Sequence, residues 1–326
     1  MLIVATDSDY LPDACRRRLE KLGELRVYEG RPESLEDFLA RVEGADIAIV
    51  THYRLNAATF EDTTLKFIAL ARTGYDDVDI DAATLHGVAL ANAPGYANEA
   101  VAEHVFAMLL SFLRKVREAD DAVRSGRFDC TAWEGRELAG KTLGVVGTGR
   151  IGMRVAGIAR SFGMDVVAFD AKPSPEKAIE HGFRYVDLNH LYESSDFISV
   201  HLPLTSGTSG LIDREAFARM KQSVVLVNTA RGPVIDEDAL ICALENGLVA
   251  GACLDVFNDE PVPPDSPLLQ LSNTILTPHI AYDTREAKDR RMAITVENVE
   301  AFAAGKPKNL LNPCALLLPA GYHGKS

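Results

Sequence analysis

A two-domain α/β fold built on parallel sheets, one domain inserted into the other, is the prediction from this sequence. Three observations carry it. Short apolar segments rich in β-branched residues alternate with helical segments along most of the chain. Alternation at this spacing gives parallel sheets with helices on both faces. A glycine-rich turn, Gly147-Thr-Gly-Arg-Ile-Gly152, falls near the middle of that alternation and opens a second sheet. The length of 326 residues suits about two domains at ~150 residues each.

The first five strands are predicted at Leu2–Ala5, Leu25–Tyr28, Asp46–Val50, Lys66–Ala71 and Val88–Ala93, with helices such as Pro12–Leu22 and Leu35–Val42 between them. A long helix is predicted over Asn98–Arg124. There Val101, Val105, Met108, Leu109 and Phe112 recur at steps of three and four, which marks one buried face, and beyond Lys115 the stretch turns charged. At ~27 residues it is long for one globular helix and would join two domains or build a subunit interface. Strand Thr142–Val146, the glycine turn, helix Ile151–Phe162 and strand Asp165–Asp170 follow. Further strands are predicted at Phe197–Leu202, Ser223–Asn228, Gly251–Val256 and Thr274–Thr277, with helices at Glu215–Met220 and Asp236–Asn246. The Pro- and Asp-rich stretch Asn258–Pro267 reads as loop. A final helix is predicted over Thr284–Ala304, and the tail Leu310–Ser326, with its short apolar part Ala315–Leu318, reads as irregular. One domain then comprises 1–98 with 282–326, and the other, 99–281, is inserted into it. A cleft between two such domains is a natural ligand site. A hinge for closure would lie near Ala97–Val101 and Pro278–Asp283.

Composition narrows the function classes. Net charge is −13, from 34 Lys+Arg against 47 Asp+Glu, which argues against nucleic acid or an anionic membrane as partner. The five cysteines, at 15, 130, 242, 253 and 314, show no Cys-x-x-Cys pairing, so neither a disulfide framework nor a metal site is expected. Met1-Leu-Ile-Val runs straight into a strand without a basic region or cleavage site, and no apolar run approaches a membrane span. A cytoplasmic enzyme is the expectation.

The glycine turn carries the first chemical reading. Gly147 allows the tight turn, Gly149 lets backbone approach a pyrophosphate, and Gly152 lets the helix pack closely on the strand. The helix N-terminus near Arg150 offers free N–H groups and a positive dipole end to the phosphates. Asp170 lies 18 residues past Gly152, where an acid that holds a ribose 2′-OH is expected. That carboxylate repels a 2′-phosphate, so the predicted cofactor is NAD and the second domain is Rossmann-like.

Three ionisable residues stand at or just beyond strand ends of that domain: Arg231 after Leu226-Val-Asn-Thr-Ala230, Glu260 in Asp255-Val-Phe-Asn-Asp-Glu-Pro261, and His279 in Leu276-Thr-Pro-His-Ile-Ala281. Ligands bind at the C-terminal ends of strands in open α/β sheets. Each alone has a bland reading: a surface arginine, a turn-starting acid, a satisfied core histidine. Of the other histidines, His86 and His104 read as helix residues and His201 as a strand residue; Trp133 reads as a loop residue at an interface or in a core.

At these positions the chain resembles the D-isomer-specific 2-hydroxyacid dehydrogenases. The resemblance covers nearly the whole sequence in ordered blocks: Thr73-Gly-Tyr-Asp76 with Val78-Asp79, Asn92-Ala-Pro-Gly-Tyr96 with Val101-Ala-Glu103, Gly140-Lys-Thr-Leu-Gly144 leading into the glycine turn, His201-Leu-Pro-Leu-Thr205 with Thr208, Asn228–Gly232, Asp255–Pro261 and Pro278-His279. It implies two Rossmann-like/flavodoxin-like parallel-sheet domains, the NAD-binding domain inserted into the substrate domain, and the interconversion of a small 2-oxo acid and its D-2-hydroxy acid. Arg231 would bind the substrate carboxylate, for which its fork of donors is suited. His279 would be the acid/base, and Glu260 would hydrogen-bond it and favour its protonated form. Backbone N–H groups of Thr73 and Gly74 would hold the substrate carboxylate, and Tyr96 and Tyr282 would wall the pocket. Arg150 and Ile151 would meet the pyrophosphate, Leu202, Pro203 and Thr208 the adenosine half, and Asp255 the nicotinamide carboxamide, with Thr229 and Ala230 further cofactor contacts. The family also implies a homodimer.

Two positions depart from the common pattern. Lys172 brings positive charge near Asp170, which would soften discrimination against NADP, with Asp170 still expected to dominate. Tyr282 is aromatic, as in the D-lactate dehydrogenase branch, whereas Thr73–Glu103 looks more like glyoxylate and hydroxypyruvate reductases. A phosphoglycerate dehydrogenase would need further cationic groups, and many carry a C-terminal regulatory domain for which no room is expected here. The alternatives are an NAD(H)-sensing protein of the corepressor type and a phosphite or formate dehydrogenase.

Overall fold

The computed structural model describes residues 1–61 and 63–317. The chain divides into two compact units, Met1–Ala97 with Thr284–Ser326, and Asn98–Asp283.

In the first unit, β1 (Leu2–Ala5), β2 (Glu24–Val27), β3 (Ile47–Val50), β4 (Phe67–Leu70) and β5 (Ala89–Ala91) form one parallel sheet in the order β2-β1-β3-β4-β5. This is the flavodoxin-like order. Successive side chains point to opposite faces of a strand, and both faces are buried. Ile3, Ile47, Ile49 and Phe67 pack with Met292, Val296 and Val299 of the helix Arg285–Ala303. Val4, Ala48, Val50, Ile68 and Leu70 pack with Phe38 and Phe60. All-β-branched or all-apolar strands such as Ile47-Ala-Ile-Val50 follow from burial on both faces.

The tail is more ordered than its composition predicts. Leu310 bridges Ala91, and Pro313–Leu317 forms a 3₁₀ turn. Buried Asn312 accepts from Leu90 N at 2.7 Å and donates to Val88 O and Thr84 Oγ1, each at 3.0 Å. Polar stitching of this kind has no periodicity to read. Leu318–Ser326, the end of the predicted irregular tail, lies outside the described residues.

In the second unit, β6 (Thr142–Val146), β7 (Asp165–Phe169), β8 (Arg184–Tyr185), β9 (Phe197–Val200), β10 (Val225–Asn228), β11 (Gly251–Leu254) and β12 (Thr274–Leu276) form a parallel sheet in the order β12-β11-β10-β9-β6-β7-β8. The order reverses between β6 and β9, so the Rossmann-type switch point lies at their C-terminal ends. One face packs Val146, Ile198, Leu226 and Leu254 under Phe217 and Leu240; the other packs Leu143, Val145, Val225 and Cys253 with Val105, Met108 and Leu109.

The predicted single helix Asn98–Arg124 is two helices, Asn98–Arg114 and Val116–Arg124. Lys115 between them is left-handed, at φ 51°. Arg136 N–H donates to Leu113 O at 3.2 Å, taking a carbonyl that a continuing helix would bond itself. The 3.6-residue period cannot show that competitor. The two-residue β8 and its flanking helices, Pro175–His181 and Leu188–Ser194, are also additions to the predicted elements.

Candidate active site

The glycine turn is built as its residue types require. Gly147 sits at φ 97°, a left-handed conformation that favours glycine, and a Cβ there would meet His201 O at 2.7 Å. A Cβ on Gly152 would strike the backbone carbonyl of Gly147, so helix Arg150–Ser161 packs on β6 only with glycine at this point. Gly149, the N-cap of that helix, has nothing within 4 Å of where a Cβ would lie. The open face over Gly149, exposed Arg150 and the helix N-terminus fit a dinucleotide pyrophosphate. Ile151, in the helix's first turn, packs against the core of the unit.

Asp170 follows β7 directly. Its Oδ2 accepts from Thr148 N at 2.7 Å and Thr148 Oγ1 at 2.9 Å, and its Oδ1 accepts from Lys172 N at 2.9 Å. Burial raises the carboxyl's pKa, but these donors outweigh it and hold the group below the usual carboxylate range. Lys172 thus reaches Asp170 through its backbone.

At the other strand ends His279 and Glu260 lie together. His279 Nδ1 lies 2.7 Å from Glu260 Oε2, and Phe257 N donates to Glu260 Oε1 at 3.1 Å. Burial raises the Glu260 pKa, but the His279 bond, the His279 charge, Phe257 N and the Arg231 charge outweigh it and bring it below the ordinary value. An ionised Glu260 only accepts, so Nδ1 carries the hydrogen and Nε2 is the nitrogen left for a ligand. The Tyr282 ring stands edge-on to the imidazole, centroids 6.0 Å apart.

His279 itself is left-handed, at φ 54°, a conformation that costs a non-glycine residue about 1–2 kcal/mol. Asp255 holds it there. This fully buried carboxylate, just past β11, accepts from Ile280 N at 2.9 Å, Ala281 N at 2.8 Å and Thr277 Oγ1 at 2.6 Å. Since Thr277 gives its one hydrogen to Asp255, His104 Nε2, 3.1 Å away, donates to the Thr277 oxygen. Burial raises the Asp255 pKa, and His104, 3.6 Å away, with the bonds from Thr277, Ile280 and Ala281, brings it below the ordinary range.

Arg231 follows β10, with Asn228 Nδ2 donating to Arg231 O at 2.9 Å and Arg231 Nη1 to Ala230 O at 2.7 Å. The neighbouring Thr229 Oγ1 is buried without a hydrogen-bond partner among the described residues, a polar atom suited to a ligand. Leu202 and Pro203 begin the loop after β9, and Thr208 Oγ1 ties that loop by donating to Pro203 O at 2.6 Å. His201 bonds Ser199 Oγ at 2.8 Å, and burial pushes its pKa down to about 3, so it stays neutral. In the first unit, Thr73 Oγ1 donates to Ala93 O at 2.9 Å, Gly74 follows it in the loop after β4, and buried Tyr96 accepts from Arg290 Nε at 2.8 Å through its carbonyl. Thr148, with Tyr185 OH 2.8 Å from its Oγ1, and Thr277 with His104 support Asp170 and Asp255, and none of the four is assigned to the site from the sequence. Thr148 alone carried a signal, its place inside the glycine turn.

Comparison with known proteins agrees with this architecture. Residues 106–281 match the family model of the D-isomer specific 2-hydroxyacid dehydrogenase, NAD binding domain. A glyoxylate reductase of Korarchaeum cryptofilum is 40% identical over 312 residues, covering 93% of each chain. An acyclic imino acid reductase solved with NADPH and D-Arg superposes with a TM-score of 0.88 at 32% identity, over 95% of this chain and 100% of that one. The D-lactate dehydrogenase of Aquifex aeolicus, solved with NAD and lactic acid, gives 0.83 at 34% identity, over 94% and 96%. D-3-phosphoglycerate dehydrogenases such as that of Archaeoglobus fulgidus are longer, and the chain spans about half (47%) of that relative's length. Among the described residues, no helix is long and apolar enough to cross a membrane. With sheet order, glycine turn and whole-length relatives in agreement, the chain belongs to the D-isomer specific 2-hydroxyacid dehydrogenase family and is an NAD-dependent dehydrogenase.

Proposed function

We propose that the enzyme interconverts a small 2-oxo acid and the corresponding D-2-hydroxy acid. The observation that carries this reading is the 2.7 Å pair of His279 Nδ1 and Glu260 Oε2, with Nε2 left for the substrate. Bound NADH supplies the hydride that adds to C2. Arg231 binds the substrate carboxylate and draws electron density from the C2 carbonyl. As the C=O π bond opens, His279 gives its Nε2 proton to the oxygen and is left neutral, with Nδ1–H still on Glu260. Oxidation runs the same steps in reverse, with Nε2 taking the hydroxyl proton.

Asp170 takes the ribose, Gly147, Gly149, Arg150, Ile151 and Gly152 the pyrophosphate, and Leu202, Pro203 and Thr208 the adenosine half. Thr229, Ala230 and Asp255 serve the nicotinamide. Thr73, Gly74 and Tyr96 are assigned to the substrate on the likeness of their sequence blocks to the family. Tyr282, edge-on to His279, favours a small C2 substituent. Val116, Val123 and Phe128, in and just after the helix Val116–Arg124, expose 54%, 56% and 93% of their surface, and this apolar exposure supports a homodimer. The five free cysteines fit a reducing compartment, and we place the enzyme in the cytoplasm.

The test is NADH oxidation against glyoxylate, hydroxypyruvate, pyruvate and bulkier 2-oxo acids, repeated with NADPH. Turnover of a small acid supports the reading. No turnover of any acid, with NADH shown to bind, overturns it in favour of an NAD(H) sensor of the corepressor type or of phosphite or formate oxidation.

A further inference from the structure

A carboxylate offers about four acceptor positions, two on each oxygen. On Asp170 three are filled by the protein. Thr148 N and Thr148 Oγ1 occupy Oδ2, and Lys172 N occupies one position of Oδ1. Thr148 Oγ1 also lies 2.8 Å from Tyr185 OH. A threonine hydroxyl has one hydrogen, and the charged acceptor Asp170 takes it. Tyr185 is therefore the donor, and the chain runs in one direction, from Tyr185 to Thr148 to Asp170.

Tyr185 is held for this role. It lies on β8, in register with Ala168 of β7, two residues before Asp170. Its ring packs edge-on against Phe183, centroids 5.2 Å apart. The hydroxyl of Thr148 is thereby fixed at both ends, and Thr148 is 9% exposed. Counting the described residues, what remains on Asp170 is one acceptor position, on Oδ1.

We propose that Thr148 and Tyr185 set the dinucleotide preference of this enzyme. By filling Oδ2 they fix the Asp170 carboxylate and leave it a single acceptor for one ribose hydroxyl. The carboxylate can neither turn away from a 2′-phosphate nor take a second hydroxyl. This inference rests on the assignment of Asp170 to the ribose in the proposed function.

The experiment measures Kd for NADH and for NADPH by fluorescence titration of the full chain and of Thr148→Val, Thr148→Ser, Tyr185→Phe and Asp170→Ala, without substrate. The ratio of Kd for NADPH to Kd for NADH falls about tenfold in Thr148→Val and about threefold in Tyr185→Phe, and Thr148→Ser restores it, as expected from the loss and return of one charge-assisted or one neutral hydrogen bond. Equal weakening of both dinucleotides in Thr148→Val and Tyr185→Phe is a packing effect and overturns the proposal. So does an unchanged ratio in those variants when Asp170→Ala collapses it. If Asp170→Ala itself leaves the ratio unchanged, the ribose assignment fails, and the proposal with it.

Discussion

Each sheet carries a buried or half-buried aspartate just beyond a strand near its switch point, and the two do different work. Asp7, after β1 of the first sheet, has all four acceptor positions filled by its own unit: Thr6 Oγ1 at 3.0 Å and Thr51 N at 2.8 Å on Oδ1, His52 N at 2.5 Å and Tyr53 N at 3.1 Å on Oδ2. Asp170, after β7 of the second sheet, keeps one position open. Asp255, after β11, matches Asp170 in number, with Thr277 and Ile280 on Oδ1 and Ala281 alone on Oδ2. Position at a strand end does not distinguish a ligand-binding acid from a structural one. The number of donors already supplied separates Asp7 from Asp170. Asp7 organises the loop after β3, whereas Asp170 has capacity left for a ligand.

The comparison can be broken at several points. The largest effect is expected in the second unit. His279→Ala lowers kcat by about 10³-fold, in the range for loss of a general acid, while NADH binding by fluorescence stays within about twofold. A parallel loss of NADH affinity would show that the histidine holds cofactor rather than protons.

In the first unit the loss is of stability. Asp7→Asn puts an NH₂ against backbone donors and costs about 2–3 kcal/mol, read as a lower midpoint of denaturant unfolding, with the Kd for NADH unchanged. Asp170→Asn shifts the balance: its NH₂ also meets a backbone donor, Thr148 N or Lys172 N, so unfolding moves by about 1 kcal/mol, and the preference for NADH over NADPH drops. If both aspartates shift both readouts alike, the donor count has no predictive value.

The smallest effect concerns pH. Asp9, bonded to Arg291 at 2.6 Å and 3.6 Å from His52, is held at about 2, since those partners outweigh the burial that raises it. A depressed carboxylate contributes stability that is complete above its unfolded pKa of 3.8 and is lost as pH falls toward 2. With a third of its side chain exposed, about 1 kcal/mol is expected after screening. Asp9→Asn should remove that slope between pH 4 and 2 in acid unfolding.

Much of the architecture was legible because burial on both faces leaves apolar runs such as Phe67-Ile-Ala-Leu70 and Val225-Leu-Val-Asn228, and glycines mark the turn. What escaped depends on single polar contacts. The helix break at Lys115 follows from Arg136 capturing a carbonyl, and β8 is too short to have a period. His279, Glu260 and Tyr282 do come together, as their sequence blocks implied. Thr277 and His104, which fasten Asp255, are 173 residues apart and share no motif.

The helix Arg285–Ala303 covers Ile3, Ile47 and Phe67, yet 186 residues of the second unit separate it from the first unit's strands. During synthesis one face of the first sheet therefore stays bare until the ribosome has made the whole contiguous unit, the interval in which a nascent chain is most exposed to aggregation or to capture by a holding chaperone.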